Sequence, residues 1–185
     1  VVLRDAVGRI EGAVRGLLSF ARATEVTVGP TRLADAVDRA LELAAPHLEE
    51  ARASLVRDVP RGLPEVMADA GKLTQVLLNL VLNACDAMPP GGELSIAACT
   101  DGPEVLVDVS DTGPGVPPEL AERVFDPFFT TKGQGKGTGL GLAVSRTGVR
   151  EMGGDLELRP STKGATFRIR LGIAKGGVDG AHPPR

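Results

Sequence analysis

Hydrophobic positions along this chain follow a helical rhythm in some stretches and a strand rhythm in others. Leu3, Val7, Ile10, Val14, Leu17 and Ala21 repeat at spacings of four and three, the narrow seam of a bundle or coiled-coil helix over residues 1 to about 23. Such a seam needs a partner helix to cover it. Val26 to Pro30 is expected to be an extended linker. Thr31 is a candidate N-cap for a helix striped by Leu33, Val37, Ala40, Leu41 and Ala44, and Pro46 is expected to kink or restart it. Lys72 to Met88 is a second strong helix, apolar at Leu73, Val76, Leu77, Leu80, Val81 and Ala84, stopped by Pro89-Pro-Gly-Gly92.

Ser54 to Val59 alternates and predicts a strand, with Glu65 to Ala68 a shorter one. Glu93 to Thr100 and Glu104 to Ser110 predict two strands joined by a turn at Asp101-Gly102. Pro117 to Arg123 reads as a short helix and Phe125 to Gly137 as a mobile loop. Leu140 to Met152 reads as a helix ended by Gly153-Gly154. Asp155 to Arg159 and Ala165 to Leu171 are closing strands. Gly172 to Arg185 has no apolar period and reads as a disordered tail. The organisation is thus a bundle-type helix over 1–24, a mixed α+β domain over 25–172 and a tail over 173–185.

With no Trp or Tyr and only five Phe, the core must be aliphatic. The formal net charge of −3 argues against a nucleic-acid surface, which needs a basic face. Cys85 and Cys99 both lie in apolar runs and are expected to be buried free thiols in a reducing cytoplasm. No stretch is long and apolar enough to span a membrane, so no membrane contact is expected of this segment.

The chemistry concentrates in glycine-rich turns. Asp111-Thr-Gly-Pro-Gly115 sets one carboxylate in a tight turn, and Gly133-Gln-Gly-Lys-Gly-Thr-Gly-Leu-Gly-Leu142 runs into an apolar helix. Backbone N–H groups before a helix suit an anion. A carboxylate repels phosphate but accepts a hydrogen bond from an exocyclic amine such as that of adenine. Asn79 and Asn83 lie four apart on one helix face, and Asp86 extends the polar stripe. Amide oxygens suit Mg²⁺, which keeps waters and phosphate oxygens beside a few protein ligands.

Four of these segments resemble the signature boxes of sensor histidine kinases, in family order. Asn79-Leu-Val-Leu-Asn83-Ala-Cys-Asp86-Ala resembles the N box, and Asp111-Thr-Gly113-Pro-Gly115 the G1 box. Phe125-Asp-Pro-Phe128-Phe129-Thr-Thr-Lys132 resembles the F box, and Gly137-Thr-Gly139-Leu-Gly141-Leu the G2 box. The resemblance covers residues 30 to 172 and implies a catalytic ATP-binding domain of the GHKL superfamily. Its Bergerat fold is a two-layer α/β sandwich, with a mixed, mostly antiparallel sheet and helices on one face.

The resemblance also implies roles. Asp111 would accept the adenine amino hydrogen, with Gly113 and Gly115 allowing close approach. Asn83 would ligate Mg²⁺, with Asn79 and Asp86 beside it. Phe125 to Gly137 would be a lid, with its three Phe packing the lid rather than stacking on the base. Thr130, Thr131 and Lys136 would lie by the nucleotide, and Lys132 or Lys136 would reach the terminal phosphate. Gly137, Thr138, Gly139, Leu140 and Gly141 would cradle phosphates. Thr166 would support Asp111. Asn79 and Lys132 are the catalytic candidates. The ATPase branches of the superfamily carry Glu, a general base, where this chain has Asn79. An Asn takes up no proton at neutral pH, so ATP should be bound but poorly hydrolysed.

His47 and His182 are the only histidines, and neither is followed by an acidic residue as the family's phosphoacceptor is. Ile10 to Arg22 resembles the second helix of the dimerisation and phosphotransfer domain. The expectation is therefore a fragment whose acceptor histidine lies on a preceding dimerisation helix. The full protein would be a homodimer, and a response-regulator receiver domain its onward partner. A GHKL-type Ser/Thr kinase and a non-catalytic dimerisation module are the alternatives.

Overall fold

The computed structural model describes residues 26–132 and 137–174. The expected bundle helix, Gly133 to Lys136 and most of the expected tail lie outside these residues.

Among the described residues, three α-helices pack on a five-stranded sheet. Helix α1 spans Leu33–Glu50, α2 spans Ala70–Ala87 and α3 spans Gly141–Glu151. The strands are β1 (Gly29–Thr31), β2 (Ser54–Asp58), β3 (Val66–Ala68), β4 (Glu93–Asp101), β5 (Glu104–Asp111), β6 (Asp155–Arg159) and β7 (Thr166–Gly172). The large sheet runs β2-β4-β5-β7-β6, with β2 parallel to β4 and every other pair antiparallel. Strands β1 and β3 form a separate antiparallel ribbon. The architecture is the expected mixed sandwich.

Side-chain alternation decides which sheet face is dry. Leu94, Ile96, Val105, Val107, Val109, Phe167, Ile169, Leu171 and Leu156 fall on one face and are buried in a single aliphatic core with α1 and α2. The opposite face carries polar cross-strand pairs. Arg168 grips Asp108 through Nε and Nη2, both at 2.7 Å, and that bond pushes the guanidinium pKa up. Cys99 pairs across from Leu106 on β5, outside the core; Cys85 is buried as expected, but Cys99 is exposed. An apolar run here marked a strand with only one inward face.

Helix α2 is fixed at both ends by its sequence. Asp69 caps it, accepting the Lys72 N–H at 2.9 Å, and this bond holds the Asp69 carboxyl below the usual range. At the other end Met88 is extended, as a residue before Pro89 must be. Leu73, Val76, Leu77, Leu80, Val81 and Ala84 supply the buried stripe between them.

Several local expectations are corrected. Thr31 does not cap α1; Arg32 occupies that position, and the Thr31 hydroxyl donates to the Ala68 carbonyl at 2.9 Å. The expected linker thus ends in strand β1. Pro46 lies inside α1 without ending it, because Glu42, whose carbonyl loses its partner, is on the exposed side and the buried stripe is untouched. The predicted helix after Pro117 is two 3₁₀ turns, Pro118–Leu120 and Arg123–Phe125. Pairing continues past Gly172: Ile173 bridges to Val66, and the Ala174 N–H donates to the Glu65 carbonyl at 2.7 Å. Among the described residues no helix is long and apolar enough to cross a membrane.

Candidate nucleotide site

Asp111 ends strand β5 on its inward face and is only 7% exposed. Its Oδ1 accepts the Gly113 N–H at 2.8 Å and the Ala165 N–H at 3.3 Å. Both bonds fall on one oxygen, which leaves Oδ2 to accept from a ligand. Gly164 makes this possible. Its φ is +68°, and a Cβ there would overlap the Asp111 carbonyl oxygen. Gly113 sits between the Asp111 carboxylate and the Ala87 carbonyl, where a Cβ would come within 2.9 Å and 3.1 Å of oxygen. Gly115 packs against the Gly164 carbonyl.

Thr166 does not support Asp111 through its side chain. Its hydroxyl pairs with Ser110 Oγ at 2.9 Å, and Ser110 and Asp111, as strand neighbours, face opposite sides of the sheet. The support comes from the backbone of Ala165, a role that residue identity does not signal.

Asn79, Asn83 and Asp86 lie on α2 as the spacing requires. The Asn79 Nδ2 donates to Ser145 Oγ at 2.9 Å, and Ser145 is 3% exposed. Asn79 Oδ1 therefore faces the start of α3, where a Cβ on Gly141 would approach it to 2.5 Å. Ser145 was missed in the sequence. It stands one turn after Gly141 on the side of α3 that faces α2, and a buried hydroxyl there needs a partner.

The chain before α3 is stitched to the F-box segment. The Phe128 N–H donates to the Gly139 carbonyl at 2.9 Å, and Phe128 and Gly139 have φ of +67° and +65°. A Cβ on Gly139 would run into the Phe128 backbone. Thr130 Oγ1 accepts the Lys132 N–H at 3.1 Å and borders Gly137, while Thr131 is exposed. Thr138 Oγ1 accepts the Leu140 N–H at 3.4 Å, and Leu140 itself is buried. These glycines thus serve close packing within the protein first. Lys136 is outside the described residues.

The three phenylalanines differ. Phe125 is buried edge-on to Phe167 at 6.2 Å, with the Arg146 guanidinium over its ring at 4.5 Å. Phe129 lies under Arg123 at 4.7 Å. Phe128 is 70% exposed. Lys132 Nζ is 2.6 Å from Asp86 Oδ2 and 3.4 Å from Asn83 Oδ1. A cationic group beside an amide oxygen shows that Asn83 presents its acceptor there. Among the described residues no group of three His, Cys, Asp or Glu side chains gathers to hold a metal.

The two poles share one edge of α2. Ala87, Asn83 and Asn79 are spaced by four, so they stand on one face. Gly113 abuts Ala87, and Gly141 abuts Asn79. The axial rise between those two residues is about 12 Å.

Such an arrangement defines a nucleotide-binding α/β sandwich. Residues 68–175 match the family described as histidine kinase-, DNA gyrase B- and HSP90-like ATPase, and the chain belongs to that family. It is 34% identical over 173 residues to the sensor histidine kinase ZraS of Escherichia coli K12, a match covering 93% of this chain and 37% of that protein. The chain therefore spans little more than a third of that relative. Histidine kinase ShkA, solved in complex with AMPPNP, is 30% identical with a TM-score of 0.78, covering 94% of this chain and 38% of that one. Histidine kinase ThkA, solved with response regulator protein TrrA, is 25% identical with a TM-score of 0.79, covering 94% and 50%.

Proposed function

We propose that this domain binds ATP with Mg²⁺ along the exposed edge of α2 and supplies the γ-phosphoryl group to a histidine on a dimerisation helix. The single observation that carries the reading is the pair of poles on one helix face, the Asp111 turn at Ala87 and the α3 start at Asn79, about two turns apart. That separation suits a purine at one end and a phosphate chain at the other.

The residues divide the work. Asp111 Oδ2 accepts from the adenine amine while Oδ1 is locked by backbone N–H groups. Asn83 offers one oxygen ligand, which suits a small hard cation that keeps waters and phosphate oxygens in its shell. Magnesium, when bound, would offset phosphate charge. Lys132 adds a second positive charge, and the start of α3 favours an anion. Asn79, its amide oriented by Ser145, holds no proton-accepting group, so water is not activated and the phosphoryl group is kept for a side chain brought from elsewhere.

The similarity to ZraS and ThkA supports a cytoplasmic signalling role, with a homodimeric parent protein and a response-regulator receiver domain as the onward acceptor. The N-terminal 24 residues belong to the dimerisation bundle in this reading. The test supplies the chain with labelled ATP, magnesium and a separate acceptor-helix polypeptide. Acid-labile, base-stable phosphate on the helix is expected. Acid-stable phosphate would instead mark a Ser/Thr kinase. Calorimetry showing no heat with Mg-ATP would remove the nucleotide site altogether.

A further inference from the structure

We infer that Asp86 acts as a counter-ion that holds the Lys132 ammonium at Asn83, in the place a cation takes when nucleotide is bound, and does not contact the nucleotide itself. The inference rests on the proposed ATP site and assigns a different role to one of its residues.

The geometry begins with the donor set. An ammonium has three donors and no acceptor. Lys132 Nζ places one toward Asp86 Oδ2 at 2.6 Å and is 3.4 Å from Asn83 Oδ1. Asp86 stands three residues beyond Asn83 on the same helix, so the two acceptors lie side by side. Lys132 comes from the F-box segment, 46 residues along the chain from Asp86. Side-chain exposure is 55% for Asp86 and 29% for Lys132, so the Asp86 side chain is the wetter member of the pair. A carboxylate beside an anionic phosphate chain would repel it. Its ion pair with Lys132 offsets that repulsion and fixes where the positive charge sits.

Two consequences follow from charge alone. Lys132 is a built-in monocation at Asn83, so ATP without magnesium should retain measurable affinity. Asp86 competes with phosphate for the same ammonium, so neutralising Asp86 should free Lys132 and tighten metal-free ATP. The neutralisation also removes a nearby negative charge, an effect that does not need Lys132. A double-mutant cycle separates the two.

The experiment titrates the full chain, Asp86→Asn, Lys132→Met and the double variant with ATP, in EDTA and in magnesium. Lys132→Met should raise the ratio of metal-free to magnesium dissociation constants about tenfold, the effect of losing a charged hydrogen bond. Asp86→Asn should tighten metal-free ATP severalfold in the native background and by clearly less in the Lys132→Met background, where only the loss of a nearby negative charge remains. Equal tightening in both backgrounds overturns the inference, because Asp86 would then act only as a nearby charge. Weaker Mg-ATP binding by Asp86→Asn with metal-free affinity unchanged also overturns it, because Asp86 would then be a cation ligand. In both of those cases the unaltered chain still binds Mg-ATP and the nucleotide site stands; no binding by the unaltered chain overturns both.

Discussion

The carboxamide of Asn79 and the hydroxyl of Ser145 meet at 2.9 Å, joining α2 to α3 at the point where the glycine turn enters the helix. This bond takes one of the two amide N–H donors and fixes the amide's orientation, with Oδ1 toward the start of α3. Ser145→Ala should cost about 1 kcal/mol of stability by leaving the amide without its partner. It should also weaken ATP binding, because Asn79 is then free to turn. Urea denaturation and calorimetry read the two effects, and Ser145→Thr should restore part of both.

Gly164→Ala should be far more damaging than an ordinary glycine change. The backbone is left-handed there, and the added methyl has nowhere to go against the Asp111 carbonyl. Destabilisation of at least about 2 kcal/mol is expected. A urea midpoint equal to that of the unaltered chain would mean that the β6–β7 turn is not held against the end of β5 as described.

The cap on α2 makes a pH prediction. Backbone N–H groups from Lys72 and Thr27 hold the Asp69 carboxyl below its unfolded value, near 3.9 for a free Asp. Its stabilisation is therefore complete above that unfolded value and lost as pH falls through the lower folded one. Asp69→Ala should cost about 1 kcal/mol at neutral pH. The difference from the unaltered chain should shrink in acid, and a gap that stays constant down to pH 2 would exclude the carboxylate as the cap.

The two thiols should differ in reactivity. Cys99 is exposed on the polar sheet face, whereas Cys85 is buried and desolvation pushes its pKa up. An aromatic disulfide reagent should modify one thiol quickly and the second only on unfolding. Cys99→Ser should abolish the fast phase.

Steady-state ATP hydrolysis by this chain should be very slow, since Asn79 supplies no base. Asn79→Glu should raise it, and rapid turnover by the unaltered chain would assign it to the ATPase branches of its family.

Much of this was legible in the sequence where local chemistry and tertiary packing agree. The body and end of helix α2 follow from its apolar stripe and Pro89, whereas its start lies two residues before the expected Lys72, where the Asp69 cap sets it. The β4–β5 hairpin follows from alternation broken at Asp101-Gly102. What escaped was set by partners distant in sequence. Val26 to Pro30 has no strand pattern of its own, and β1 exists because β3 lies beside it. Cys99 sits in an apolar run, but the run alone does not say which face meets the core. The glycines of the G2 turn read as room for phosphate, and the structure shows that they first make room for Phe128 and Asn79. Thr166 was placed near Asp111 by motif position, while strand alternation sends its hydroxyl to the other face.

Strand β3 is only three residues long, yet Val66 is paired with Thr31 on one side and bridged to Ile173 on the other. The incoming and outgoing backbone are thus clasped to one residue. A pull or twist arriving from either flank is delivered to the same corner of the sandwich.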